Sequence, residues 1–429
     1  MKTLISNGKI ISMDPDYPQV FTGDIAVENK KILSVGNIPS DFHPDKIINA
    51  ENSIVLPGLI NAHTHLSMVL LRSYADDMDL QKWLNEKIWP IEEKMTPDQI
   101  YNSSLLGAAE LIKSGVTAFA DMYFFQHKTC EAVRQSGIRA RIGASFFGNE
   151  KDVAEKLPYF QELYDTWNGK ADGRIHIDAA PHSAYTLTTG ALKMAVDFAK
   201  KNNTRIHTHV SESRKETEDN YKQYGISPVE YMENTGVFDL PAYAAHCVQL
   251  NNKDLEIIKK HHVFPVHNPT SNLKLGNGIA PVPQMMEAGI ITALGTDGAS
   301  SNNNLNMFEE IHLAAIIHKG NTGDPTSVSA YQSLKMATLN GAEALGIDSV
   351  CGSLTPGKEA DIILVDTEKI HLQPLYDPVS AIAYGSQASD VHLVMCAGEI
   401  LMEKGRLKTI NEEEIMKIVK TDSKKLTGS

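Results

Sequence analysis

Eight short apolar runs, rich in β-branched residues, recur through the middle of the chain, and most are followed by an amphipathic stretch of helical length. They read GLINAHTHL from Gly58, VTAFADMY from Val116, RARIGASFF from Arg139 and IHIDAAPHS from Ile175. Then come RIHTHVSE from Arg205, YAAHCVQL from Tyr243, VFPVHNPTS from Val263 and ITALGTDGA from Ile291. Strands that alternate with helices build parallel sheets. Eight such units predict an α/β fold of one kind, the closed (β/α)8 TIM-type barrel, spanning residues 58–352. Thr96-Pro97 and Ser227-Pro228 read as an N-cap followed by proline in the first helical turn.

The two ends of the chain have another texture. TLISNGKIISM, GDIAVENKKILSVG and NSIVLPG are short β-like runs broken by turns, and Asn7-Gly8 between two of them is a hairpin signal. The same texture returns in GSLTPGKEADIILVD from Gly352 and DVHLVMCAGEILMEKGRL from Asp390. Residues 1–57 and 353–429 are therefore expected to form one small β-sandwich from both termini.

Composition removes several function classes. A net charge of −13 without a basic tract argues against a nucleic-acid surface, because phosphate binding needs clustered Lys and Arg. No apolar run approaches the ~20 residues of a membrane span. The opening MKTLISNGKIISMDP has no long apolar leader. The four cysteines are scattered, with neither a disulfide framework nor a thiolate zinc spacing. A reducing cytoplasm is the expected setting, with a small molecule as partner rather than nucleic acid or membrane.

Barrels of this type place their chemistry at the C-terminal ends of the strands. Read from that end, the first run finishes in His63 and His65, the fourth in His182, the fifth in His209 followed by Glu212, and the eighth in Asp297. The sixth run carries His246. Residues two apart on a strand share a face, so His63 and His65 both point into the barrel, where branched apolar side chains are the norm. With His209 and Asp297 they make three imidazoles and one carboxylate, a set that suits zinc or iron with room for a water.

Each residue also has a plainer reading. Glu212 would serve as an acid at a helix start, His246 as a hydrogen-bonded core histidine, and His182 as a loop or capping residue. His267 is open between the two. His43, His261, His262, His312, His318 and His371 fit surface or helix positions and carry no assigned role. The GNG at 276–278 is a turn without phosphate-loop spacing, and Cys247 is a buried thiol with no base dedicated to it.

PGLINAHTHL, HTHVSE, AAHC and LGTDGASSNNNLNMFEE together resemble the amidohydrolase superfamily, in its cytosine deaminase and chlorohydrolase-like branch. LQKWLNEKIWPIEEKMT and APHSAYT are similar, more narrowly, to 5-methylthioadenosine/S-adenosylhomocysteine deaminases. The resemblance spans nearly the whole chain. It implies His63, His65, His209 and Asp297 as ligands of one zinc, with iron the alternative. It implies Glu212 as proton shuttle, His246 as the group orienting the water and Asp297 as acceptor of the water's proton. It further implies Glu92 as holder of ribose hydroxyls, His182 as a substrate contact, Trp83 as a pocket wall, and assembly into a homo-oligomer. The implied reaction is hydrolytic deamination of an adenine nucleoside. Two-metal members use a modified lysine at the end of strand 4; here that strand ends DAAPHSAY, so a single metal is expected. The family's arginines after strand 3 are missing from ASFFGNEKDVAEK, where Lys151 and Lys156 are the nearest cations. Alternatives in the same mononuclear site are deamination of guanine or another base and dechlorination of a triazine. From a different class comes a catalytically silent, metal-stabilised binding protein.

Overall fold

The computed structural model describes residues 1–428. All eight central runs are strands: β1 Leu59–Thr64, β2 Val116–Met122, β3 Arg139–Phe146, β4 Ile175–Pro181, β5 Ile206–Val210, β6 Ala242–His246, β7 Phe264–His267 and β8 Ala293–Leu294. They pair in chain order, every neighbour parallel. The last strand is only two residues long, and it meets the first through the segment beyond it. Asp297 N donates to His63 O at 3.0 Å. Gly295 is needed there, because a Cβ on it would lie 2.8 Å from His63 N.

Parallel strands are buried on both faces, which is why they read as apolar runs rather than alternating ones. Helix Leu339–Leu345 packs into a cluster with Ile60, Ala118, Tyr243 and Ala293 and stops the N-terminal mouth of the barrel. The opposite mouth is left for chemistry. Both proline-marked helix starts are present, with Thr96 and Ser227 completing capping boxes.

The terminal runs form one nine-stranded sheet that wraps a core of its own, including Ile5, Ile25, Val55, Ile362 and Leu393. Strand Ser53–Pro57 sits between Lys2–Ile10, parallel to it, and Ile362–Asp366, antiparallel. Asn7-Gly8 does not turn a hairpin. It lies inside strand Lys2–Ile10 as a bulge, with Asn7 at φ 63° and its N–H taken by Asp24 Oδ1 at 2.8 Å. The hairpin falls instead at Asn29-Lys30, where Glu28 pairs with Lys31 and Asn29 takes φ 55°. After the sheet, helix Glu412–Thr427 rests on helix Pro97–Lys113, where Asn102 Nδ2 donates to Asp422 Oδ2 at 2.8 Å.

Between β1 and helix Pro97–Lys113 the chain makes only short helical turns: Leu66–Leu71, Leu80–Lys82, a π-helical Trp83–Ile88, and Trp89–Glu92. This segment roofs the open mouth. Its early part is fastened by Lys274 to Asp76 and by Arg72 Nη1 to Asn303 O at 2.6 Å. No described helix is long and apolar enough to cross a membrane.

Candidate active site and metal centre

At the C-terminal mouth, four acceptor atoms converge. His63 Nε2 and His65 Nε2 lie 3.4 and 3.3 Å from Asp297 Oδ1. His209 Nε2 lies 3.3 Å from His65 Nε2. Nε2 of the fully buried His63 has no hydrogen-bond partner, a costly condition for an isolated polar atom and a natural one for a ligand.

The outer nitrogens explain the inward aim. His65 Nδ1 meets Met122 O at 2.5 Å, His209 Nδ1 meets His182 O at 2.8 Å, and His63 Nδ1 meets His207 Nε2 at 2.8 Å. Outer bonds of this kind fix ring orientation and raise ligand basicity. Asp297 is steered too: Gly298 N donates to Oδ1 at 2.8 Å, and Ser271 Oγ donates to Oδ2 at 2.6 Å. Burial pushes His63 down to about 4 and His209 well below its usual value, so both rings are neutral near pH 7. Burial alone would raise the Asp297 carboxyl, but the surrounding His63, His65 and His246 hold it well below the usual range. Neutral imidazoles, an ionised carboxylate and an unpartnered buried Nε2 fit a divalent cation such as zinc or iron. His63, His209 and His246 also form a compact triangle, so His246 borders the same centre.

Glu212 and His246 flank this cluster, His246 Nε2 being 3.8 Å from Glu212 Oε2. Asn277 Nδ2 donates to Glu212 Oε1 at 2.9 Å, and His246 Nδ1 meets Asn272 Oδ1 at 2.9 Å. Burial raises the Glu212 carboxyl. Burial would lower His246, yet the neighbouring Glu212 and Asp297 carboxylates lift it above its ordinary value. His246 and Asp297 both sit in the left-handed backbone region, at φ 74° and 66°. Such conformations cost about 1–3 kcal/mol each and gather at functional sites; here they turn side chains off the strand ends into the mouth.

The walls of the cavity above include His65, His182, His209, Glu212, His246 and Asp297 on one side and Trp83, Trp89 and Glu92 on the other. The candidate ligands His65, His209 and Asp297, with Glu212, His246, His182, Glu92 and Trp83, thus border one cavity, and His63 lies beside Asp297 beneath it. Glu92 leaves its charged neighbours Glu93 and Lys94 in solvent and turns inward, accepting from Tyr123 OH at 2.6 Å. Burial raises its carboxyl to about 7 against that hydrogen bond. Trp83 is 5% exposed and donates Nε1 to Ala75 O at 3.0 Å. His182 packs its ring on Phe147, centroids 4.5 Å apart, and borders the cavity besides lending its carbonyl to His209.

His267 stays out of the cluster. It is buried beside His318, ring centroids 5.2 Å apart, with neither nitrogen hydrogen-bonded. Residues the sequence did not point to are His207, Tyr123, Asn272, Asn277 and Ser271. Asn277 lay in plain view in the GNG turn. His207 was legible only as the second imidazole on the His209 face of its strand.

Residues 54–401 match the amidohydrolase family, and the chain belongs to it. It is a hydrolase acting on C–N bonds. More particularly, it is 47% identical over 429 residues to a 5-methylthioadenosine/S-adenosylhomocysteine deaminase of Thermoanaerobacter pseudethanolicus, covering 99% of each chain. A deaminase of the same name from Acetivibrio thermocellus is 50% identical over 387 residues, 90% of each chain. Among solved structures, an adenosine deaminase from Xanthomonas campestris with bound zinc matches at TM-score 0.94 and 30% identity, covering 100% of this chain and 99% of that one.

Proposed function

We propose that the protein removes the exocyclic amine from the adenine base of 5′-methylthioadenosine and/or S-adenosylhomocysteine, giving the inosine analogue and ammonia. The observation that carries this reading is one cavity holding the His63–His65–His209–Asp297 cluster, the Glu212–His246 pair and the inward Glu92. Names and lengths of the relatives point the same way.

His63, His65, His209 and Asp297 would hold one Zn2+, with Fe2+ the alternative. β4 ends Ala179-Ala180-Pro181 and is followed by His182, so no lysine is there to bridge a second ion. When bound, such an ion lowers the pKa of a coordinated water from ~15.7 toward ~7. Around it the chain's own groups divide the work. Glu212, protonated more readily because it is buried, donates to the ring nitrogen next to the amine-bearing carbon. His246 holds the attacking water by its oxygen, and Asp297 takes the water's proton. Oxygen adds to the ring carbon, Asp297 passes the water's proton to the amine, the C–N bond breaks and ammonia leaves, and the remaining hydroxyl proton returns to Glu212 as the ring carbonyl forms. Glu92 receives the ribose hydroxyls, while Trp83 and His182 wall the base.

A larger cavity continues past Glu92 and shares Trp89, Phe124, Phe147 and Tyr185 with the first. Its aromatic walls suit a methylthio group at the 5′ carbon. Lys156 borders it and Lys151 does not, so Lys156 is the cation to meet a homocysteine carboxylate. As a point charge it lacks the two-pronged grip of arginine. Four free, buried cysteines accord with a reducing cytoplasm.

The test mixes zinc-loaded protein with methylthioadenosine, adenosylhomocysteine and adenosine, following ammonia release and loss of adenine absorbance. Turnover of at least one is expected; no turnover of any overturns the proposal.

A further inference from the structure

His207 stands on β5 two residues before His209, and nothing in the proposed chemistry uses it. It is completely buried. Its Nε2 lies 2.8 Å from Nδ1 of His63. Its ring lies against Tyr243, centroids 4.4 Å apart and planes 29° from parallel. Tyr243 is itself pinned, donating its hydroxyl to Asp178 Oδ2 at 2.8 Å. Arg141 grips the same carboxylate through Nε at 2.6 Å and Nη2 at 2.5 Å, and Thr204 donates to it at 2.7 Å. The ring of His207 is therefore backed by a buried ion pair and has little freedom to move.

Two neutral imidazoles joined by one hydrogen bond admit two proton arrangements. If His207 Nε2–H donates, His63 carries its own proton on Nε2. That nitrogen, aimed at Asp297 Oδ1 from 3.4 Å, then has no lone pair to offer a cation. If His63 Nδ1–H donates instead, Nε2 presents its lone pair to the centre. Both rings stay neutral in either case. His65 and His209 face no such choice, because their Nδ1 atoms meet backbone carbonyls, which only accept. His63 alone depends on a side chain for its tautomer. The ligating arrangement also puts the His207 proton on Nδ1, where no partner awaits it. A ring placed for its own hydrogen bonding would not be left with a buried, unmatched donor.

We propose that His207 is a positioning residue for the metal ligand His63: its Nε2 accepts the hydrogen bond from His63 Nδ1 and so holds His63 in the tautomer that ligates. The inference rests on the metal reading above. Its test compares zinc dissociation constants, by chelator competition, in the wild-type chain, His207→Phe and His207→Gln. Phenylalanine keeps a flat aromatic ring, somewhat larger than imidazole, against Tyr243 but cannot accept; glutamine can accept through its carbonyl. Zinc binding in His207→Phe is expected to weaken by about 10–100-fold, the usual cost of losing such an outer partner. His207→Gln is expected to stay close to wild type, and thermal melting of the metal-free forms shows whether each variant folds. A second measurement needs no variant: nitrogen-15 histidine spectra of the zinc-loaded chain should find His207 protonated at Nδ1 and not at Nε2. Zinc binding by His207→Phe as tight as wild type, or a proton on His207 Nε2 in the zinc form, overturns the inference. A wild-type chain that takes up no zinc overturns the metal reading, and this one with it.

Discussion

At the proposed metal end of the pocket, every candidate side chain sits on a barrel strand or within a few residues of its end. At the proposed sugar end, Trp83, Trp89 and Glu92 ride on short helical turns, including a π-helical one, that belong to no strand. The metal end is over-determined: each imidazole has an outer partner, and Asp297 is held through both oxygens. Glu92 has one named partner, Tyr123, and the roof is fastened at its early part by Asp76 and Arg72. A reacting centre tolerates little misplacement, whereas a wall that selects among substrates need only present shape and a few polar atoms. The contrast teaches that chemistry and choice are separable in this chain, and it sets the order of the expected effects.

The largest belong to the metal end. His63→Ala or His209→Ala should lose bound zinc, measured by elemental analysis, and reduce deamination to background; full retention of metal would break the assignment. Chelation of the wild-type chain should do the same reversibly, with activity restored by added zinc. Next, Glu212→Gln should keep its zinc but lose about 10²–10⁴-fold in kcat, the usual contribution of general acid–base help. A variant that loses metal as well would mean that Glu212 belongs to the ligand set.

Effects at the sugar end should be smaller and selective. A hydrogen bond to a charged group is worth about 1.5–3 kcal/mol, so Glu92→Gln should lower kcat/KM on nucleosides by about 10–100-fold. Any turnover of the free base should be spared. Equal damage to both would remove Glu92 from the ribose and favour a nucleobase substrate. Because burial raises Glu92 to about 7, its carboxylate, the form that accepts hydroxyl hydrogens, is lost as pH falls through that value. The kcat/KM profile on nucleosides should therefore drop below about pH 7 through this group, and Glu92→Gln should flatten that limb. The smallest effect is expected for Lys156→Ala. A solvent-facing charge contributes about 0–1 kcal/mol, so kcat/KM should fall at most severalfold on adenosylhomocysteine and not at all on methylthioadenosine. An equal loss on both would place Lys156 in the scaffold.

The same contrast governs what the sequence revealed. Strands buried on both faces cannot hide, since their apolar runs and intervening helices repeat eight times, and ligands at strand ends inherit that periodicity. Asn7-Gly8 misled because the signal for a tight turn is also the signal for a bulge: both need a left-handed residue, and only pairing with Phe21–Glu28 decides between them. Glu92 needed the family resemblance, since a glutamate in a charged run carries no local mark of facing inward. His207, Tyr123, Asn272 and Asn277 act on partners far away in the chain, and no local pattern announces a contact of that kind.

One junction has a consequence for how the molecule is made. Pro57 ends a strand of the terminal sheet and Leu59 begins β1, with Gly58 alone between them, where a Cβ would lie 2.1 Å from Thr117 Oγ1. The strand leading to His63 and His65 is thus continuous with one braced by Ile362–Asp366. During synthesis that brace leaves the ribosome after Asp297, the last of the four proposed ligands. A nascent chain paused between the two would carry every proposed ligand and lack the strand that braces the approach to the first pair. Assembly of the centre would then wait on residues that take no part in its chemistry.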